Sequence, residues 1–268
     1  MRVSALLALA LALVLSACDA FGGDDAVRVD LEPGLRLDYE IRETKDHADG
    51  ARTEAVWTST SEVVSTSATV YDEGGLTELL LTSTGAEGNG RVWYRTGADA
   101  LAEVAYDGGG AGSALRVAAS GEGSPELPRP VRRLIAERLD GASAQARLGA
   151  DPVLRGEPRV VLDYDAEAGQ DWVHYDFSFI GFPLKSLRRV EGEQTIQTAA
   201  GTFRCLVVRT TVEFAGADQG VDWVDHVADV GLVRREVVVR DPETGDDGTE
   251  TGRATVTTMV QELTAAVR

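Results

Sequence analysis

Between Leu35 and Arg42 apolar and charged residues alternate without a break, Leu35, Leu37, Tyr39 and Ile41 against Arg36, Asp38, Glu40 and Arg42. A period of two puts one set on each face of an extended chain, so this segment predicts a half-buried β-strand. Lys45 to Gly50 is a polar turn containing Asp49-Gly50, and a second extended run follows through Trp57 and Val64. Strand-like pieces recur at Leu76–Thr82, Arg91–Arg95, Leu101–Tyr106 and Leu115–Ala119, punctuated by Gly74-Gly75, Gly88–Gly90 and Gly108–Gly110. In the C-terminal half, Val173, Tyr175, Phe177 and Phe179 face one way and His174, Asp176 and Ser178 the other. Leu184–Gln197, Thr202–Phe214, Val221–His226, Gly231–Arg240 and a last strand through Ala254, Val256 and Val260 continue the pattern.

Helical spacing stands out once, at Val131–Leu139. There Val131, Leu134, Ile135 and Leu139 follow Pro128 and Pro130 and precede Asp140-Gly141. Many short strands and one short helix predict a mainly β protein with a single twisted or curled antiparallel sheet, half-barrel-like. No boundary separates the halves, so residues 31–268 read as one domain, with two sub-lobes meeting near 120–157 as the lesser alternative.

The first residues follow a different rule. Arg2 gives a short basic start, residues 5–15 are unbroken Ala, Leu and Val, and Leu15-Ser16-Ala17-Cys18 closes the run. A run of this length is too short for a permanent spanning helix and has the form of a secretory signal. Leu15 to Cys18 resembles the lipobox of bacterial lipoproteins. The resemblance implies that residues 1–17 are removed and that Cys18 becomes a lipidated N-terminus. Two or three acyl chains there would anchor the protein stably, since each buried methylene contributes about 0.8 kcal/mol and one chain alone is marginal. Residues 18–30, with Gly22, Gly23, Asp24 and Asp25, then form a flexible tether. The expected location is extracytoplasmic, at the membrane of a bacterial envelope. Asp19 resembles the inner-membrane retention signal of some Gram-negative bacteria.

Composition narrows the partners. The formal net charge is −18, and loss of residues 1–17 removes a single Arg and no acid. Such a surface repels nucleic acid and anionic headgroups, so neither is an expected partner. Lysine occurs only at Lys45 and Lys185, a bias that a salt-adapted surface and an Arg-favouring, GC-rich genome explain equally well. The two cysteines are Cys18 and Cys205. Lipidation consumes the first, so Cys205 has no disulfide partner within the chain. Set in Phe203-Arg204-Cys205-Leu206-Val207, it reads as a buried, inert thiol rather than a reactive one.

Val190 to Cys205, reading VEGEQTIQTAAGTFRC, resembles the signature hairpin of the TapB-like family of secreted bacterial proteins. Val221-Asp222-Trp223, the stretch Asp229 to Glu236, and the entry strand Leu31 to Glu40 are similar to further motifs of that family. Val224-Asp225-His226 departs from it, standing where aromatics are usual. The resemblance implies a β-sheet lipoprotein and carries no catalytic residues. Physical reasoning reaches the hairpin independently. Gly201 suits a positive-φ turn position with Phe203 packed beside it, and Gly231 suits a bulge or a close backbone approach.

Catalytic chemistry finds little footing. His47, His174 and His226 are far apart and lack metal-ligand spacing. His174 and Asp176 would meet Asp225 and His226 in a metal or acid–base cluster if their strands were neighbours, but polar residues on a strand's exposed face need no such role. There is no G-x-S-x-G elbow. The acidic stretch Asp241 to Gly248 has Gly245 where a calcium ligand should stand. No cofactor, catalytic or metal residue is assigned, and lipidation at Cys18 is the one site. The expected function is a non-catalytic, membrane-anchored envelope lipoprotein binding an apolar ligand or a protein partner. Val173, Tyr175, Phe177 and Phe179, with Trp57 and Trp93, are the candidates to line an apolar face, or else form closed core. A structural or assembly module of the envelope is the alternative, and an uncharacterised hydrolase or metal enzyme the least supported.

Overall fold

A computed structural model describes residues 27–70, 72–85, 89–107, 116–117, 130, 159–179, 182–214, 217–218, 220–244 and 250–268. The lipobox with Cys18 and the helix expected at Val131–Leu139 lie outside the described residues, as does the half of the acidic Asp241 to Gly248 stretch beyond Thr244. Fourteen strands are described, β1 (Arg36–Asp46), β2 (Arg52–Val70), β3 (Glu73–Ser83), β4 (Gly90–Thr96), β5 (Ala100–Asp107), β6 (Arg116–Val117), β7 (Arg159–Asp163), β8 (Asp171–Phe179), β9 (Phe182–Thr198), β10 (Gly201–Phe214), β11 (Ala217–Asp218), β12 (Val221–Ala228), β13 (Gly231–Thr244) and β14 (Glu250–Val267). They form one antiparallel sheet in the order β6-β5-β4-β3-β2-β1-β14-β13-β12-β10-β9-β8, with β7 on β5 and β11 on β10. The N- and C-terminal strands β1 and β14 lie side by side in its middle. Of the described strands, only β7 and β11 lack a counterpart in the sequence pattern.

The alternation that predicts β1 also decides which way the sheet curls. Leu37, Tyr39 and Ile41 are buried while Arg36, Glu40 and Arg42 are exposed. Residues of the buried parity from distant strands share one core, including Leu37, Leu79, Val92, Leu101, Leu162, Val208, Val233 and Leu263. The outer face carries ion pairs between neighbouring side chains, such as Arg204–Glu193 at 2.6 Å and Arg253–Glu243 at 3.0 Å. Exposed pairs of this kind contribute about 0–1 kcal/mol each, whereas burying a Leu or Val contributes roughly 1.5–3 kcal/mol. The inner face therefore dominates, and the sheet wraps around it.

The sheet curls until β7 and β8 approach, but no ladder joins them. Side chains bridge the seam instead. Trp172 on β8 donates its Nε1–H to the Val160 carbonyl at 3.1 Å, and Arg188 on β9 donates to the Val161 carbonyl. Pairing of β5 with β7 passes from Leu101↔Leu162 to Ala102↔Val160, so Val161 is the extra residue of a bulge. A bulged residue leaves the ladder, and here its carbonyl receives a side chain instead.

At one end the lead-in segment from Val27 to Gly34 crosses the barrel. Asp30 N–H donates to the Asp229 carbonyl at 2.7 Å in the β12–β13 turn, and Val29 N–H donates to the Tyr164 hydroxyl at 3.2 Å just beyond β7. Leu31 is buried in the core and Val29 packs against it. The opposite face of the sheet holds a smaller cluster of Val70, Leu76, Trp93 and Ala105. Three register shifts between Val63 and Val70 let the β2–β3 arm reach it.

The Gly201 hairpin has the expected form. Gly201 pairs with Thr198 across Ala199-Ala200 and has φ of 143°. A Cβ there would sit 3.7 Å from the Phe203 ring, so space is adequate and the backbone angle is the constraint. Gly231 opens β13 with φ of 112°, and a Cβ there would stand 3.4 Å from Leu37 Cδ1. Cys205 is fully buried in the core, and burial, with Asp229 nearby, pushes its thiol up to about 12. Gly201→Val is expected to lower stability by about 1–2 kcal/mol, the cost of a side chain in a disfavoured backbone region. Glu193→Gln on the adjoining strand should leave it nearly unchanged. Urea unfolding of the two variants is the check, and coincident midpoints would contradict the turn assignment.

Candidate functional site

The interior is not uniformly apolar. Arg188, on the inner parity of β9, enters between the seam and β12, where Asp225 stands at the centre of a hydrogen-bonded group. The Asp225 carboxylate accepts from Trp223 Nε1 at 2.8 Å, Arg235 Nε at 2.6 Å, Arg235 Nη2 at 2.9 Å and Arg188 Nη2 at 3.2 Å. Four N–H groups match the acceptor capacity of an ionised carboxylate, and the Arg235 contact is bidentate. The Trp223 ring lies beside both guanidiniums, with their carbons 5.2 Å (Arg188) and 5.1 Å (Arg235) from its centroid. Those separations fit cation–π attraction. All four side chains are buried.

Strand pairing sets this arrangement. Asp225 on β12 faces Arg235 on β13, Trp223 faces Val237, and Arg188 reaches Trp223 through Thr210 on β10. Burial alone would raise the Asp225 carboxyl, but Arg235, Arg188 and the Trp223 N–H outweigh it and hold the group below its usual range. A second pair, Arg159 and Glu103 at 3.9 Å, is buried nearby. His174 completes the group, with its Nδ1 3.4 Å from Ser186 Oγ and its ring edge-on to Trp223 at 5.8 Å. Burial drives it well below the usual imidazole value, and Arg188, Arg159 and Arg235 add repulsion, so it stays neutral.

Beside this cluster lies a cavity of about 160 Å³. Its walls are mainly Val29, Leu31, Leu37, Leu79, Leu101 and Leu162, and Arg188, Asp225 and Arg235 close one side. Gly231 also lines it.

Two sequence expectations need correction. The face made of Val173, Tyr175, Phe177 and Phe179 is interrupted, because pairing with β9 passes from Val173↔Leu187 to Tyr175↔Ser186 and leaves His174 as an extra residue. The bulge resets the alternation, so Val173 is exposed at 47% and His174 is buried at 2%. Trp57 and Trp93 do not share a face either. Trp57 pairs with Ile41 on the inner side, while Trp93 points away from its neighbours Val92 and Tyr94 into the outer cluster. Of the four residues considered as an acid–base or metal cluster, His174 and Asp225 come to the same inner group. Asp176 is exposed, and His226 turns to the other side against Arg234 and Glu236. Among the described residues no three His, Cys, Asp or Glu side chains gather as metal ligands.

Arg188 and Arg235 were not singled out by sequence, although a signal exists. Each is one member of an Arg-Arg pair within a strand, and Arg235 shares its parity with Val233 and Val237. Period two forces one arginine of each pair inward.

No protein-family model matches the chain, so the TapB-like resemblance rests on the quoted segments alone, and no curated protein matches either. Three solved structures are similar in part. A Bacteroides fragilis protein described as exported, with a YmcC-like fold, aligns over 91% of this chain and 100% of its own at 12% identity and TM-score 0.45. A Parabacteroides distasonis protein described as a lipoprotein aligns over 91% and 100% at 11% identity and TM-score 0.36. A DUF1329 family protein from Desulfovibrio piger aligns over 87% and 85% at 11% identity and TM-score 0.26. At these scores the likeness carries no weight for the role of this chain, which rests on its own residues.

Two outcomes follow from the buried cluster. Asp225→Asn removes the charge that two buried guanidiniums share, and should cost about 3–5 kcal/mol in chemical denaturation. A loss no larger than that of Glu193→Gln would contradict the cluster's place in the fold. The second concerns pH. His174 is held neutral in the folded state, while the unfolded chain takes a proton near its ordinary value of 6.5. The unfolded state then binds more protons, so stability is full above that value and falls as pH drops through it. Asp225, held below 3.8, loses its contribution only in stronger acid. His174→Gln should flatten the thermal midpoint between about pH 7.5 and 5. His226, shifted the same way, leaves a smaller residual slope. An unchanged slope in the variant would contradict the burial of His174.

Proposed function

We propose that this chain is a lipid-anchored envelope protein that binds an apolar ligand inside its barrel, without catalysing a reaction. The observation that carries the reading is the interior cavity of about 160 Å³, walled by aliphatic side chains from strands and from the lead-in segment. A cavity of roughly 150 Å³ accepts a benzene-sized guest where its lining is apolar, as most of this lining is, with Arg188, Asp225 and Arg235 confined to one side. The space therefore suits a small apolar molecule or a short stretch of an alkyl chain.

Anchoring rests on the Leu15 to Cys18 motif. Val27 stands nine residues after Cys18 and shortly before Val29 and Leu31 of the cavity wall, so the anchor would reach the barrel on that side. A chain of that length extends roughly 30 Å at most. The lipid would thus tether the cavity end within reach of the membrane surface.

Two measurements test the two halves of this reading. Cys18→Ser should release the protein from the membrane fraction on mild washing, and retention at the wild-type level would contradict lipid anchoring. The released full-length variant should take up toluene, a guest of the cavity's size, saturably in isothermal titration calorimetry. Leu81→Trp, which fills the cavity wall, should weaken that binding by about tenfold or more. Unsaturable uptake, or equal affinity in both variants, would contradict interior binding.

A further inference from the structure

The cavity is walled by strands except at one place. Of its described lining residues, Val29 and Leu31 belong to the lead-in segment, and each of the others sits in a strand. We propose that residues 27–32 form a displaceable strap over the cavity, past which an apolar guest enters and leaves, with Tyr164 as its catch. This route presupposes the interior-binding reading.

The strap is held differently from the walls around it. Strand β1, which follows it, pairs on one side with β14 from Arg36↔Val267 to Asp46↔Val256 and on the other with β2 from Arg36↔Glu62 to Asp46↔Arg52. Opening the wall at β1 would break two ladders at once. The strap joins no ladder. Its Asp30 N–H donates to the Asp229 carbonyl at 2.7 Å and its Val29 N–H to the Tyr164 hydroxyl at 3.2 Å. The Arg28 guanidinium lies over the Tyr164 ring, 5.9 Å from its centroid, within reach of cation–π attraction. Leu31 is buried in the core and Val29 packs against it, so displacing the strap returns apolar surface to water. The closed strap is therefore the resting state. Its opening breaks few bonds, which makes the open form a minor population separate from global unfolding.

The pivot is written into the sequence. Glu32-Pro33-Gly34-Leu35 makes a type II turn, with Pro33 in the first central position and Gly34, at φ of 88°, in the second. Leu35 N–H closes the turn on the Glu32 carbonyl at 3.0 Å. Gly34 N–H donates to the Val63 carbonyl at 2.8 Å and Val63 N–H to the Leu35 carbonyl at 2.9 Å, which pins the turn to β2. Movement is thus confined to the residues before the turn, and β1 keeps its register while the strap swings. The same segment leads back to Cys18, so a lipid there would pull on the strap and not on a strand.

The test uses the full-length Cys18→Ser chain and reads the exchange of free and bound toluene by NMR. Tyr164→Phe removes the acceptor of the Val29 N–H and leaves the described cavity lining untouched. It should speed toluene entry and exit by about fivefold each, the effect of one lost hydrogen bond, with affinity nearly unchanged. Amide hydrogen exchange at Asp30, whose acceptor remains, should rise by the same factor and so tie entry to strap opening. Arg28→Ala, which removes the cation over the same ring, should act in the same direction and keeps the test decisive if Tyr164→Phe fails to fold. Trp172→Phe, which removes the seam bond to Val160, should leave both rates at the wild-type value. Saturable binding with unchanged rates in the strap variants overturns the strap and leaves interior binding standing. An equal or larger rise in Trp172→Phe places the entry at the seam and also overturns the strap. Absence of toluene binding in every variant overturns interior binding and the route with it.

Discussion

Arg188 ties together the two features on which this barrel depends, its open seam and its buried charge. The sheet curls on itself without a hydrogen-bonded ladder between β7 and β8, and an unpaired strand edge facing an apolar interior is costly. Arg188 reaches across from β9 and donates to the carbonyl freed by the Val161 bulge. Its guanidinium is then buried and needs a counter-charge, which Asp225 provides. Asp225 in turn is satisfied by Arg235 and Trp223, and the Trp223 ring supports both arginines. One closure problem thus draws in residues of four strands.

Such a group is not the cheapest way to fill a barrel. Well-packed apolar side chains of similar volume are often as stabilising as a buried ion pair. What the charges add is placement. Each contact with Asp225 has a distinct direction, so β9, β12 and β13 can satisfy it in one register only, whereas aliphatic layers tolerate slippage more readily. The same geometry puts a charged wall at one side of a cavity whose other walls are aliphatic. Structural closure and the polar side of the cavity therefore come from the same atoms.

Much of the fold was legible along the chain. Strict alternation at Leu35 to Arg42, the Thr198 to Thr202 turn, and the repeated short apolar runs gave a mainly β curled sheet and most of its strands. The burial of Cys205 followed from its flanking Phe203 and Val207. The functional interior was legible in part. Asp225 and His174 stand out along the chain as titratable residues in strands, but the charged partners of Asp225 are arginines from two Arg-Arg pairs. Those look like surface residues unless the parity of Val190, Val233 and Val237 is followed through them. Trp93 faces outward because Val92 and Tyr94 take the inner face on either side of it.

The local two-residue period fixed which side chains of β1, β12 and β13 turn inward, because a strand has only two faces and one of them must leave water. Composition and the leading apolar run set the expectation of an exported, anchored chain from the first eighteen residues. The closing of the sheet was decided only in three dimensions. Whether β7 meets β8, and where a bulge frees the Val161 carbonyl or turns His174 inward, depends on strand pairs far apart in sequence. A single extra residue reverses every face beyond it. Alternation is a local property and survives in the sequence, whereas a bulge is settled by the partner strand, and the cavity with its charged wall exists only after both are in place.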